Sequence, residues 1–95
     1  ILDTGAGRPV VFELGQSYPN PARDTVTVAF TSAEDVAARL TVFDLAGRAV
    51  IARDVKAGAG DNAVELDVSA LAPGVYLYRL EAGGDAAAKR MVVVR

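Results

Sequence analysis

The chain has 95 residues, no cysteine, no histidine and a formal net charge of −2 at pH 7. It therefore lacks disulfides, thiolate metal sites, a thiol nucleophile and an imidazole base, and its balanced charge gives no footprint for nucleic acid or an anionic membrane. Hydrophobic content of 52% and charged content of 23% suit one globular domain, and a chain of this size buries roughly 60–65% of its unfolded surface around a single core.

Residues 1–9, with Leu2-Asp3-Thr4-Gly5-Ala6-Gly7 at their centre, read as a linker from an upstream domain, and residues 10–95 as the domain itself. Val10 to Leu14, closed by Gly15, predicts a first or edge strand. Pro19-Asn20-Pro21 is a rigid lead-in, since neither proline carries a backbone N–H. Tyr18 is expected to pack over that turn and cap one end of the core. Asp24 to Ser32 alternates with period two, turning Val26, Val28 and Phe30 inward. In Val36 to Asp44 the helix formers of Ala33 to Leu40 compete with the β-rich Thr41-Val42-Phe43. Strand is preferred, because Asp44-Leu45-Ala46-Gly47-Arg48 closes the segment like a hairpin turn. There Asp44 bonds backbone ahead of it and Gly47 takes a positive φ.

Ala49 to Val55 returns as a strand, Lys56 to Asn62 reads as the loosest loop, and Asn62 to Val68 alternates again. Pro73-Gly74 suits the central positions of a type II turn. Val75 to Ala82 and Ala86 to Val94 flank Gly83-Gly84-Asp85, which predicts a β-hairpin with Tyr76, Tyr78 and Leu80 facing inward. No apolar run approaches the ~20 residues of a membrane helix. About seven strands with turn chemistry between them predict an immunoglobulin-like antiparallel β-sandwich, without the Cys…Trp…Cys signature of antibody domains.

Chemistry is scarce. Ser17, Ser32 and Ser69 lie in no nucleophile motif, and no helix follows the glycines to make a phosphate cradle. Asp61, Glu65 and Asp67 share the polar face of one strand at spacings of about 7 Å. They suit a solvated face, with calcium as the sharper alternative. The sequence accordingly predicts no enzyme, no cofactor and no metal.

Four blocks carry a resemblance: Ser17 to Phe30 (SYPNPARDTVTVAF), Leu40 to Val50 (LTVFDLAGRAV), Leu71 to Gly84 (LAPGVYLYRLEAGG) and Lys89 to Arg95 (KRMVVVR). In this order they resemble the C-terminal sorting domain of the bacterial type IX secretion system. The matching positions are Tyr18, Pro19, Asn20 and Pro21, then Asp44, Gly47 and Arg48, then Gly74 and Tyr76, then a basic pair leading into an apolar strand. Phe43 stands where the family usually has Tyr, and Ala22-Arg23-Asp24 replaces a frequent Phe-Asn-Pro, so a family aromatic is missing.

The resemblance implies an address label on a cargo protein that is secreted or reaches the cell surface by way of the periplasm. Implied partners are the outer-membrane translocon, a sortase-like surface protease that removes the label, and the upstream cargo domain. The protease couples cargo to an anionic lipopolysaccharide, and the linker is a place for its cut. Within the label, Lys89, Arg90, Met91, Val92, Val93, Val94 and Arg95 are the expected recognition signal, offered as a strand edge to a partner's sheet. Such an edge also gives a route to self-association. The competing readings are a passive immunoglobulin-like accessory or adhesion module, and a carbohydrate-binding module, which the absence of Trp disfavours.

Overall fold

The computed structural model describes residues 12–94, and no helix occurs among them. The strands are β1 Phe12–Leu14, β2 Thr25–Ser32, β3 Val36–Phe43, β4 Ala49–Ala57, β5 Gly60–Asp67, β6 Gly74–Ala82 and β7 Asp85–Val93. The predicted linker, Val10, Val11 and Arg95 lie outside the described residues. One sheet has the order β1-β2-β5 and the other β4-β3-β6-β7, with every ladder antiparallel. The chain changes sheet after β2, β4 and β5, so consecutive strands are divided between two layers, as in the expected immunoglobulin-like sandwich.

Alternation builds the core. Val26, Val28 and Phe30 of β2 and Leu66 of β5 are buried from one side. Leu40 and Val42 of β3, Tyr78 and Leu80 of β6, and Met91 and Val93 of β7 are buried from the other. Each such side chain contributes about 1.5–3 kcal/mol on burial. Helix propensity in Ala33 to Leu40 loses because period two puts Ala38, Leu40 and Val42 into the core together. Between β6 and β7, Gly83 and Gly84 take φ of 57° and 87°, which is the positive pair that a tight hairpin with the twist of its strands requires.

Two turn expectations need correction. The segment predicted to be loosest is largely strand, with β4 running to Ala57 and β5 starting at Gly60. Asn62 fastens the crossing: its Oδ1 accepts from Gly58 N, and its Nδ2 donates to the carbonyls of Gly58 and Gly60. Asp35 Oδ1 accepts from Ala59 N at 2.8 Å. Gly74 is not the centre of a type II turn; it opens β6 opposite Val93 with φ of 155°, far from the roughly +80° of that turn.

One hydroxyl ties the layers together. Tyr78 is fully buried on β6, and its Oη donates to Gly15 O and accepts from Ser17 N, both at 2.8 Å. Gly15 N in turn donates to Ala29 O of β2, so the node joins the four-stranded sheet to the path of the first strand. Tyr78→Phe keeps the ring and strips both backbone groups of their partner. Urea unfolding is expected to show a loss of about 1–3 kcal/mol at an unchanged m-value.

Candidate functional site

Three of the four sequence blocks lie in the four-stranded sheet, and the first touches the β7 edge of that sheet before entering β2 of the other. The Gln16–Ala22 segment leaves β1 and runs along the outer edge of β7. In an antiparallel strand alternate residues send N–H and C=O to opposite sides, and Arg90, Val92 and Val94 send theirs away from β6. Gln16 Nε2 donates to Arg90 O at 2.9 Å, and Val92 N donates to Asn20 Oδ1 at 3.1 Å. Ala22 N donates to Val92 O, and Val94 N donates to Ala22 O, both at 2.8 Å. Ala22 thus forms a parallel bridge to Val93 and is fully buried where the family wording has an aromatic. The peptide bonds before Pro19 and Pro21 are both cis. The terminal edge expected to be open is therefore clasped from Arg90 to Val94.

Tyr18 corrects another expectation. Its backbone exchanges hydrogen bonds with Thr27, and the residue is 53% exposed rather than folded over the core. Residue 18 meets β2 at a position alternate to the buried Val26 and Val28, so its side chain leaves by the outer face. It borders a trough of about 690 Å³ with Ala29 and Ala63 among its lining residues. Among the described residues it is the one exposed aromatic side chain, which is little platform for a sugar.

In the second block Asp44 builds its own turn. Its Oδ1 accepts from Ala46 N and Arg48 N, and its Oδ2 accepts from Arg48 Nε at 3.1 Å. Gly47, at φ of 85°, donates its N–H to Asp44 O. The backbone hydrogen bond from Arg48 and the Arg48 guanidinium hold the Asp44 carboxyl below the usual carboxylate range. Asp67 is lowered likewise, by hydrogen bonds from the Ser69 hydroxyl and N–H. In the third block Tyr76 Oη donates to Ala72 O at 2.6 Å. That is the corner by which a tyrosine near a strand start fastens the preceding connection in such sandwiches.

The fourth block is divided by the pleat. Met91 and Val93 are in the core. Lys89 lies opposite Tyr78 on the inward side of an edge strand, and Arg53 of β4 lies opposite Leu40 in the same way. An inward-pointing cation on each edge of this sheet opposes edge-to-edge pairing, including with a second copy.

Charge separates the outer faces. Outward positions of β1, β2 and β5 carry Glu13, Asp61, Glu65 and Asp67 and no cation. Outward positions of the other sheet carry Arg39, Lys56, Arg79 and Arg90 against Asp54 and Glu81. Asp61, Glu65 and Asp67 lie opposite Thr31, Thr27 and Thr25. Among the described residues no group of three acids is placed to hold a metal ion.

The chain matches the family described as the secretion system C-terminal sorting domain over residues 16–94. No curated protein matches it. The match starts at Gln16, the first side chain of the clasp, and runs to Val94, its last hydrogen-bonded residue.

Two outcomes test this geometry. Because folding lowers the Asp44 and Asp67 carboxyls, their contribution is present above the unfolded value of about 3.9 and is lost as pH falls through the folded values. Asp44→Asn is expected to be less stable than wild type at pH 7, with the gap closing as pH is lowered towards about 2 in denaturation curves. Asn20→Ala removes the acceptor for Val92 N. Its amide hydrogen exchange is expected to speed up by about tenfold or more, with the core amides of β3 unchanged.

Proposed function

The chain belongs to the secretion system C-terminal sorting domain family, and from that membership we propose that it directs an attached cargo protein across the bacterial outer membrane through the type IX machinery. The family is one of sorting signals rather than catalysts. The observation that carries the reading is the match over residues 16–94, which takes in the clasp, both turn blocks and the terminal strand as one folded unit. In this reading the cargo lies upstream of residues 10–95, and residues 1–9 are the linker in which a sortase-like protease cuts before coupling cargo to a surface lipopolysaccharide. Passage is through the periplasm, and the destination is the cell surface or the medium.

Lys89 to Arg95 serve as the address within a folded frame that Tyr18 to Pro21, Asp44, Gly47, Arg48, Gly74 and Tyr76 maintain. Cutting the chain after Ala88 would remove the buried Met91 and Val93, so that truncation tests folding more than sorting. The informative experiment fuses a reporter, with its own inner-membrane signal, ahead of Ile1–Arg95. It is expressed in a bacterium carrying the type IX machinery and in an isogenic strain lacking the outer-membrane channel. The reporter is expected at the surface in the first strain and in the periplasm in the second. Retention in the periplasm of both strains would overturn the sorting reading.

A further inference from the structure

Three of the four blocks send their outward side chains to one place. Phe43 of β3 lies directly opposite Leu77 of β6, Leu77 directly opposite Arg90 of β7, and Val75 opposite Val92. Antiparallel partners share a face, and so do residues two apart on a strand. Phe43, Val75, Leu77 and Val92 therefore form one apolar strip on the outer face of the four-stranded sheet, with Arg90 at its margin. Leu77 is 42% exposed. Among the described residues Arg90 makes no ion pair, while Arg39 and Arg79 are held by Asp54 and Glu81. The start of the remaining block, Ser17 to Ala22, together with Gln16 before it, seals the backbone edge beside this strip.

We propose that this strip, with Arg90, is the docking surface of the sorting domain, and that its partner is a protein surface of the export machinery presenting an apolar ridge beside carboxylates. The proposal rests on the sorting function above and names the surface that performs it. Charge complementarity chooses the face. An acidic partner is repelled by the opposite sheet, whose outward strand positions hold four carboxylates, and meets here a guanidinium without an ion pair among the described residues. The clasp decides the mode. With the outward backbone groups of Val92, the Arg90 carbonyl and the Val94 N–H already bonded, the terminal strand is recognised through side chains rather than by adding a strand. Of that strand Met91 and Val93 are in the core, which leaves Arg90 and Val92 to be read.

The test compares Leu77→Glu, Arg90→Glu and Arg90→Lys with two changes on the acidic face, Asp61→Lys and Glu65→Lys. Each is measured for surface export of the reporter and for binding of the purified domain to the detergent-purified translocon. Circular dichroism and urea midpoints check that each variant folds. Leu77→Glu and Arg90→Glu are expected to lower export and binding by about tenfold or more, Arg90→Lys to recover part of both, and the acidic-face variants to stay within about twofold of wild type. If Leu77→Glu does not fold, Arg90→Glu carries the test. Full export and binding by the Glu variants would overturn the surface while leaving the sorting function standing. Failure of the wild-type domain to export would overturn both. Two further results would also overturn the proposal: self-association of the purified domain that Arg90→Glu abolishes, or binding to anionic-lipid vesicles equal to that for the translocon.

Discussion

The Tyr78 hydroxyl is the contact on which the placement of the lead-in against the last strand depends. It sits in the core of one sheet and bonds two backbone groups, at Gly15 and Ser17, that belong to the path of the first strand along the other. A buried hydroxyl with both its donor and its acceptor used is worth more than its net stability, because it fixes position as well as energy. Once Ser17 is pinned, Gln16 is delivered to the Arg90 carbonyl, and the proline-bounded turn brings Asn20 and Ala22 to Val92. The lead-in is thus a strap that begins in one layer and ends on the edge of the other. Its prolines suit that work, since a residue without an N–H leaves no donor to satisfy along an exposed crossing.

A sheet edge is a hazard to be closed or a site to be used. Here the two edges of the four-stranded sheet are treated alike in one respect and differently in another. Both carry an inward-pointing cation, Arg53 on β4 and Lys89 on β7, whose burial against another strand would cost desolvation. Among the described residues only β7 is also strapped. The asymmetry matters for a terminal strand that completes the core with Met91 and Val93. A fraying end would expose both side chains, and the strap adds hydrogen bonds at the residues where fraying would start.

Much of this was legible in the sequence, because period-two alternation and turn chemistry are local. Val26, Val28 and Phe30, the face of Tyr76, Tyr78 and Leu80, the Asp44–Gly47 turn and the Gly83-Gly84 hairpin all follow from neighbours within a few residues. What was not legible is tertiary. The Tyr78 node spans more than sixty positions of chain, and the Asn20 clasp more than seventy, and nothing local to an asparagine between two prolines says which strand it will hold. Tyr18 was misjudged for the same reason: only the antiparallel bridge to Thr27 determines which face its ring takes. The loop at Lys56 to Asn62 was misread because its glycines signal freedom, whereas Asn62 and Asp35 remove that freedom by bonding the loop's own backbone.

The residues that make the family wording recognisable and the residues that a partner can touch are largely different sets. Asp44, Gly47, Tyr76, Asn20 and Ala22 are spent on turns, a corner and a strap, through hydrogen bonds made inside the domain. The side chains at outward positions between them, Leu77, Arg90 and Val92, face away from the core. The last strand cannot be separated from the domain it completes. The strand that bears Arg90 also supplies Met91 and Val93 to the core, and its backbone is closed by a segment from the other end of the domain. Folding is therefore what assembles the outward strip, because the same pleat that buries alternate residues of the last strand is what brings Arg90 and Val92 beside Leu77.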